Sequence, residues 1–135
     1  LESNLRVLVA VTPDALTRVI VHLLRAYPEI EIVCCVQWNE RLVRHAERLL
    51  PHIIIVNAID MEGSETVAAL KNASPGSKLI LTSWGDRFAV RRRLSNVDAH
   101  INEAFLVRKL LPTVRRLCAS HGHKVPQRSI HRRYQ

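Results

Sequence analysis

The sequence predicts a doubly wound α/β domain built on a five-stranded parallel sheet flanked by helices. Three observations predict it. Strand-like and helix-like apolar patterns alternate with a regular beat from Leu5 to Leu117. The run Ile53-Ile54-Ile55-Val56 has no polar alternation, which marks a parallel strand covered on both faces. The chain has 135 residues, is 47% hydrophobic and has only four glycines, which suits one domain with a real core.

The elements follow in order. Leu5-Arg6-Val7-Leu8-Val9-Ala10 reads as the first strand. Thr12 is the expected N-cap of the first helix, with Pro13 at its first position. Leu16, Val19, Ile20, Leu23 and Leu24 form its apolar stripe, and Pro28 stops it. A β-branched second strand covers 30–36. Asn39 is placed to cap a second helix whose stripe is Leu42, Val43, Ala46, Leu49 and Leu50, ended by Pro51. The third strand is 53–56. A short helix over 64–73 has Ser64 as its cap, and Ser74-Pro75-Gly76 is a turn. Strand 78–82, a polar helix over 86–94, a brief strand over 99–101 and a last helix over 105–117 complete the beat. Leu106, Leu110, Val114 and Leu117 make the buried stripe of that helix. In such sheets the crevice lies at the carboxyl ends of the strands, so the chain after Ala10, Val56 and Thr82 is where function is expected. Domain organisation is read as one domain over 1–118 and a basic tail or linker over 119–135.

The formal net charge is +8, which favours acidic protein surfaces or polyanions as partners. Arg92 and Arg93 on the fourth predicted helix, with Arg108 and Arg115 on the last, are the candidate partner face. Lys124, Arg128, Arg132 and Arg133 make the tail basic. Aromatic residues are 4% of the chain, too few for base-stacking platforms. No apolar run reaches the roughly 18 residues that span a bilayer, and the start, Leu1-Glu2-Ser3-Asn4, carries no secretory pattern. Without an initiator Met, that start is read as processed, trimmed or cut from a longer chain. The expected compartment is the cytoplasm, with Cys34, Cys35 and Cys118 as reduced, mostly buried thiols. The tail's His121, His123 and His131, with Cys118, match no zinc spacing. No metal, cofactor, catalytic residue or enzymatic activity is expected.

Several stretches together resemble a response-regulator receiver domain of the LuxR/NarL type. They are residues 5–10, Leu24-Arg25-Ala26-Tyr27-Pro28, Ala46-Glu47-Arg48-Leu49-Leu50-Pro51, the run 74–83, Asp98-Ala99-His100 and Leu110-Leu111-Pro112. The resemblance covers about Leu5 to Leu117 and implies a flavodoxin-like sheet of order 2-1-3-4-5. It also implies a phosphorylation pocket, with an acidic pair for Mg²⁺, a nucleophilic aspartate, a hydroxyl and a lysine. By position these fall on Val11 and Thr12, Asn57, Thr82 and Glu103. Only the hydroxyl of Thr82 survives. An amide cannot attack a phosphoryl donor as a carboxylate does. Val11 and Thr12 lack the carboxylates that Mg²⁺ favours. Glu103 sets negative charge where positive is needed, a penalty on the order of 1–4 kcal/mol.

The resemblance thus implies a degenerate pseudo-receiver that signals or scaffolds by protein–protein contact without phosphotransfer. The contact face is expected on the fourth predicted helix, the fifth strand and the last helix, and the partner is a regulatory or assembly protein or a second copy. Asn57 is expected to donate to Glu103 and accept from Thr82, unless these residues simply face solvent. His100 stands where the family has a switch aromatic, and histidine is the residue type whose free side chain titrates near neutral pH. Two alternatives stay open: a nucleic-acid-binding or assembly accessory protein using the basic helices and tail, and a phosphoacceptor using Asp60.

Overall fold

The structure is a computed structural model and describes residues 4–36, 41–57, 63–84 and 97–120. Five parallel strands form one sheet of order β2-β1-β3-β4-β5. They are β1 (Leu5–Ala10), β2 (Ile30–Cys35), β3 (Ile53–Asn57), β4 (Lys78–Ser83) and β5 (Ala99–Asn102). Helices α1 (Asp14–Arg25), α2 (Arg41–Leu49) and α3 (Gly63–Ala73) fill the first crossovers, and a C-terminal helix, Leu106–Ser120, follows β5. The expected fold class and strand order are those observed.

Period-two alternation sorts the strand side chains into two cores. Leu5, Val7, Val9, Ile53, Ile55, Ile80 and Ile101 pack beneath α1 and the C-terminal helix. Leu8, Ala10, Ile54, Val56, Leu79 and Leu81 pack beneath α2 and α3. Every residue of β3 is buried, as its unbroken apolar text requires. The stripe Leu106, Leu110, Val114 and Leu117 is buried as expected.

Some local expectations are corrected. Thr12 does not cap α1. Pro13 occupies the N-cap position without a side-chain bond, and Thr17 Oγ1 reaches back to the Val11 carbonyl at 3.1 Å. Val19 lies 43% exposed, off the buried stripe of Ile20 and Leu24. Leu50 is not part of the α2 stripe: it lies beyond the helix with φ 46° and 57% exposure. Its N–H still closes the last helical bond to the Ala46 carbonyl at 2.8 Å, while its own carbonyl accepts from Arg6 Nη1 at 3.1 Å. Helix α3 begins at Gly63, so Ser64 sits inside its first turn. The last helix is preceded by a short 3₁₀ turn, Glu103–Phe105, and runs on to Ser120, past the end expected at residue 117.

Two polar clusters pin the amino ends of the strands. Asp98 Oδ2 accepts from Lys71 Nζ and from the Leu79 N–H, each at 2.8 Å, tying α3, β4 and the start of β5 together. His52 Nδ1 accepts from the Arg6 N–H at 2.9 Å while the His52 N–H donates to the Arg6 carbonyl at 2.9 Å. This extends the pairing of β1 with β3 beyond its apolar part. The predicted cap Asn39, the predicted helix 86–94 with Arg92 and Arg93, and the spare carboxylate Asp60 lie outside the described residues. So do the tail cations Lys124, Arg128, Arg132 and Arg133.

Candidate functional site: a self-paired pocket at the carboxyl edge of the sheet

The parallel register decides which side chains meet. Asn57 pairs with Thr82 across β3 and β4, and Thr82 pairs with Ile101 across β4 and β5. Glu103 lies two residues beyond Ile101, so it returns to the face that carries Asn57 and Thr82. That face lies above the core shared by α1 and the C-terminal helix. The sequence-predicted positions therefore do converge at the carboxyl edge.

Their bonding differs from expectation. Asn57, 5% exposed, does not bridge Thr82 and Glu103. Its Oδ1 accepts from the Thr12 N–H at 3.1 Å, and its Nδ2 donates to the Thr12 carbonyl. The carboxamide thus matches a main-chain donor and acceptor at once, as a strand partner would. Thr82, fully buried, donates from Oγ1 to Glu103 Oε2 at 2.9 Å. Val11 is buried in the core and offers no ligand atom.

A second pair was missed from sequence. Ser83 Oγ and His100 Nε2 lie 2.6 Å apart. His100 pairs with Leu81 in register, so Ser83, two residues on, shares its face. That face packs toward α2 and α3, opposite Asn57. His100 is half-buried. Among the described residues no buried side-chain nitrogen or oxygen lacks a partner. The pocket is satisfied by its own groups.

Of the four predicted partner-face arginines, Arg108 and Arg115 are described. They line a groove against α1, with Arg115 over the Tyr27 ring at 5.2 Å. The thiols divide. Cys118 is buried, Cys34 half-buried and Cys35 exposed, so Cys35 departs from the expectation of buried thiols. Burial pushes Cys118 up to about 11. Desolvation also raises Cys34, with Arg48 opposing it. Cys35 is raised by partial desolvation, then by neighbouring Cys34, with Arg25 opposing.

Among solved structures, the signal receiver domain of NarL from Mycobacterium tuberculosis is similar to this chain, with TM-score 0.70 and 15% identity over 84% of this chain and 98% of that one. The fold is that of a response-regulator receiver domain. A LuxR-family DNA-binding response regulator from Staphylococcus aureus matches with TM-score 0.72 and 19% identity, over 83% of this chain and 97% of that one. A pilus assembly-related protein from Burkholderia pseudomallei matches with TM-score 0.74 and 16% identity, over 88% and 92%. No family model and no curated protein matches the sequence.

Receiver folds use Mg²⁺, and the described residues do not fit it. The end of β1 offers buried Val11 and a Thr12 whose main chain is taken by Asn57. Glu103 is bonded to Thr82. Among the described residues no three His, Cys, Asp or Glu side chains converge. Nor is any described helix long and apolar enough to cross a membrane.

Proposed function

We propose that this chain is a phosphorylation-independent receiver-type module, without enzymatic activity, that acts in regulation through protein–protein contact. The observation that carries this reading is the carboxamide of Asn57 bonded to both main-chain polar groups of Thr12. At the nucleophile position stands a neutral amide, and both of its polar ends are engaged. The Thr82 hydroxyl, which a phosphoryl oxygen would need as donor, is given to Glu103. The Glu103 carboxylate opposes an incoming phosphoryl dianion. Asn57 and Glu103, which stand at two of the altered positions, are each held by hydrogen bonds, to Thr12 and to Thr82, that stabilise the unphosphorylated arrangement.

The test is incubation with acetyl phosphate and Mg²⁺, read by intact mass. The expected result is an unmodified chain. A stoichiometric phosphoryl adduct, on Asp60 or elsewhere, would overturn the reading.

A second reading is a nucleic-acid-binding or assembly accessory protein. The C-terminal helix carries Arg108, Lys109, Arg115 and Arg116 and no carboxylate, and one similar structure is of a protein named for pilus assembly. Nucleic-acid binding predicts affinity that falls steeply with salt.

A further inference from the structure

We propose that the groove between α1 and the C-terminal helix docks an acidic, amphipathic peptide segment of a partner protein. This deepens the protein-contact reading above and rests on it.

The groove has a volume of about 380 Å³, at the small end of clefts that hold a ligand. Leu23, Tyr27 and Leu111 give it an apolar floor, while His22, Arg108 and Arg115 supply its ionisable edge. Among the described residues no carboxylate lines it. Val107 beside it is 71% exposed. The guanidinium of Arg115 lies 5.2 Å over the Tyr27 ring, which holds that planar fork in place and lowers the entropy lost on pairing with a carboxylate. Beyond Pro112 a second hollow, lined by Arg108, Lys109 and Arg116, continues the cationic surface. Apolar anchors flanked by Asp or Glu would meet both features at once, in the manner of a helix laid in a groove.

Charge argues against the other occupants. A second copy docked through the same face would bring together two arginine-lined grooves whose described linings offer no carboxylate to pair with, and like charges at an interface are costly. A nucleic-acid backbone would satisfy the arginines but leave the apolar floor without a complement.

The experiment is selection on the full chain from a display library of random peptides about twelve residues long, enough for anchors at i, i+3, i+4 and i+7. It is run with and without acetyl phosphate and Mg²⁺. The expected result is enrichment of peptides combining Asp or Glu with apolar anchors, under both conditions. Their binding should weaken by about tenfold or more in Arg108→Glu and further in Arg108→Glu/Arg115→Glu. Arg108 is exposed, so the single variant keeps the wild-type thermal midpoint and separates loss of binding from loss of folding. Absence of enrichment, enrichment of basic or uncharged peptides, or indifference to Arg108→Glu would overturn the proposal. Displacement of the peptides by random duplex DNA, with DNA affinity lost in Arg108→Glu, would assign the face to nucleic acid and overturn it too. Enrichment confined to the phosphodonor condition would keep the groove and sink the phosphorylation-independent reading.

Discussion

Asn57 and Thr12 are joined as two strands are joined. The Asn57 carboxamide accepts from the Thr12 N–H at 3.1 Å and donates to the Thr12 carbonyl. A single side chain thereby closes the end of β3 onto the turn that follows β1. A carboxylate at position 57 has no N–H to give, so it cannot reproduce this pairing. The amide at position 57 supplies the donor that closes this turn.

Asn57→Asp should therefore destabilise the fold. The Thr12 carbonyl would lose its donor and face a negative oxygen instead. The expected loss is about 1–3 kcal/mol, read as a lower urea midpoint with an unchanged slope. An unchanged or raised midpoint would show that the clasp contributes nothing.

Thr82 and Glu103 should be energetically coupled. Their 2.9 Å bond joins a fully buried hydroxyl to a half-buried carboxylate. A double-mutant cycle of Thr82→Val and Glu103→Ala should return a coupling of about 0.5–1.5 kcal/mol. Additive single effects would mean that the pair does not form in solution.

Leu50 should be improvable. A non-glycine residue at φ 46° holds its Cβ against the following carbonyl, at roughly 1–2 kcal/mol. Its side chain is mostly in water, so little packing is lost on removal. Leu50→Gly should raise stability by about 0.5–1 kcal/mol after the entropy of the unfolded glycine is subtracted. A fall in thermal midpoint would contradict this geometry.

The thiols should separate by access. Cys35 should react first with a thiol reagent under native conditions, despite its raised pKa, because it alone of the three is exposed. Cys118 should react only on unfolding. Folded, its thiol ionises near 11 against an ordinary value of 9.0. Between these values the unfolded chain has lost the proton and the native chain keeps it. The Cys118 contribution is thus fully present below pH 9.0 and declines as pH rises toward 11. Cys118→Ala should show a shallower alkaline loss of stability than wild type in urea titrations over that range.

The fold was legible in the sequence because buried parallel strands write continuous apolar text. Ile53 to Val56 could be little else, and its neighbours followed from the beat. The strand ends after Ala10, Val56 and Thr82 were legible from the beat, and the resemblance supplied Glu103 and the roles expected at each position. The partners were not. Asn57 binds Thr12 through main-chain atoms, which carry no residue identity, so chemistry alone suggested Glu103 and Thr82 instead. The hydroxyl–carboxylate pair of Thr82 and Glu103 was within reach, since register returns both to one face. Ser83 was hidden by the same logic: its contact with His100 follows only once Leu81 is known to lie opposite His100. Arg108 and Arg115, seven residues apart, share a helical face, but only packing tells that this face meets α1.

The most direct test of the closed pocket is a ¹⁵N–¹H spectrum of the full chain titrated with beryllofluoride and Mg²⁺, a mimic of the phosphoryl group. The account predicts no saturable change at Thr12, Asn57, Thr82, Ser83 or Glu103. Saturable shifts centred on those amides would show that the pocket opens to a phosphoryl-like ligand and would contradict the central claim.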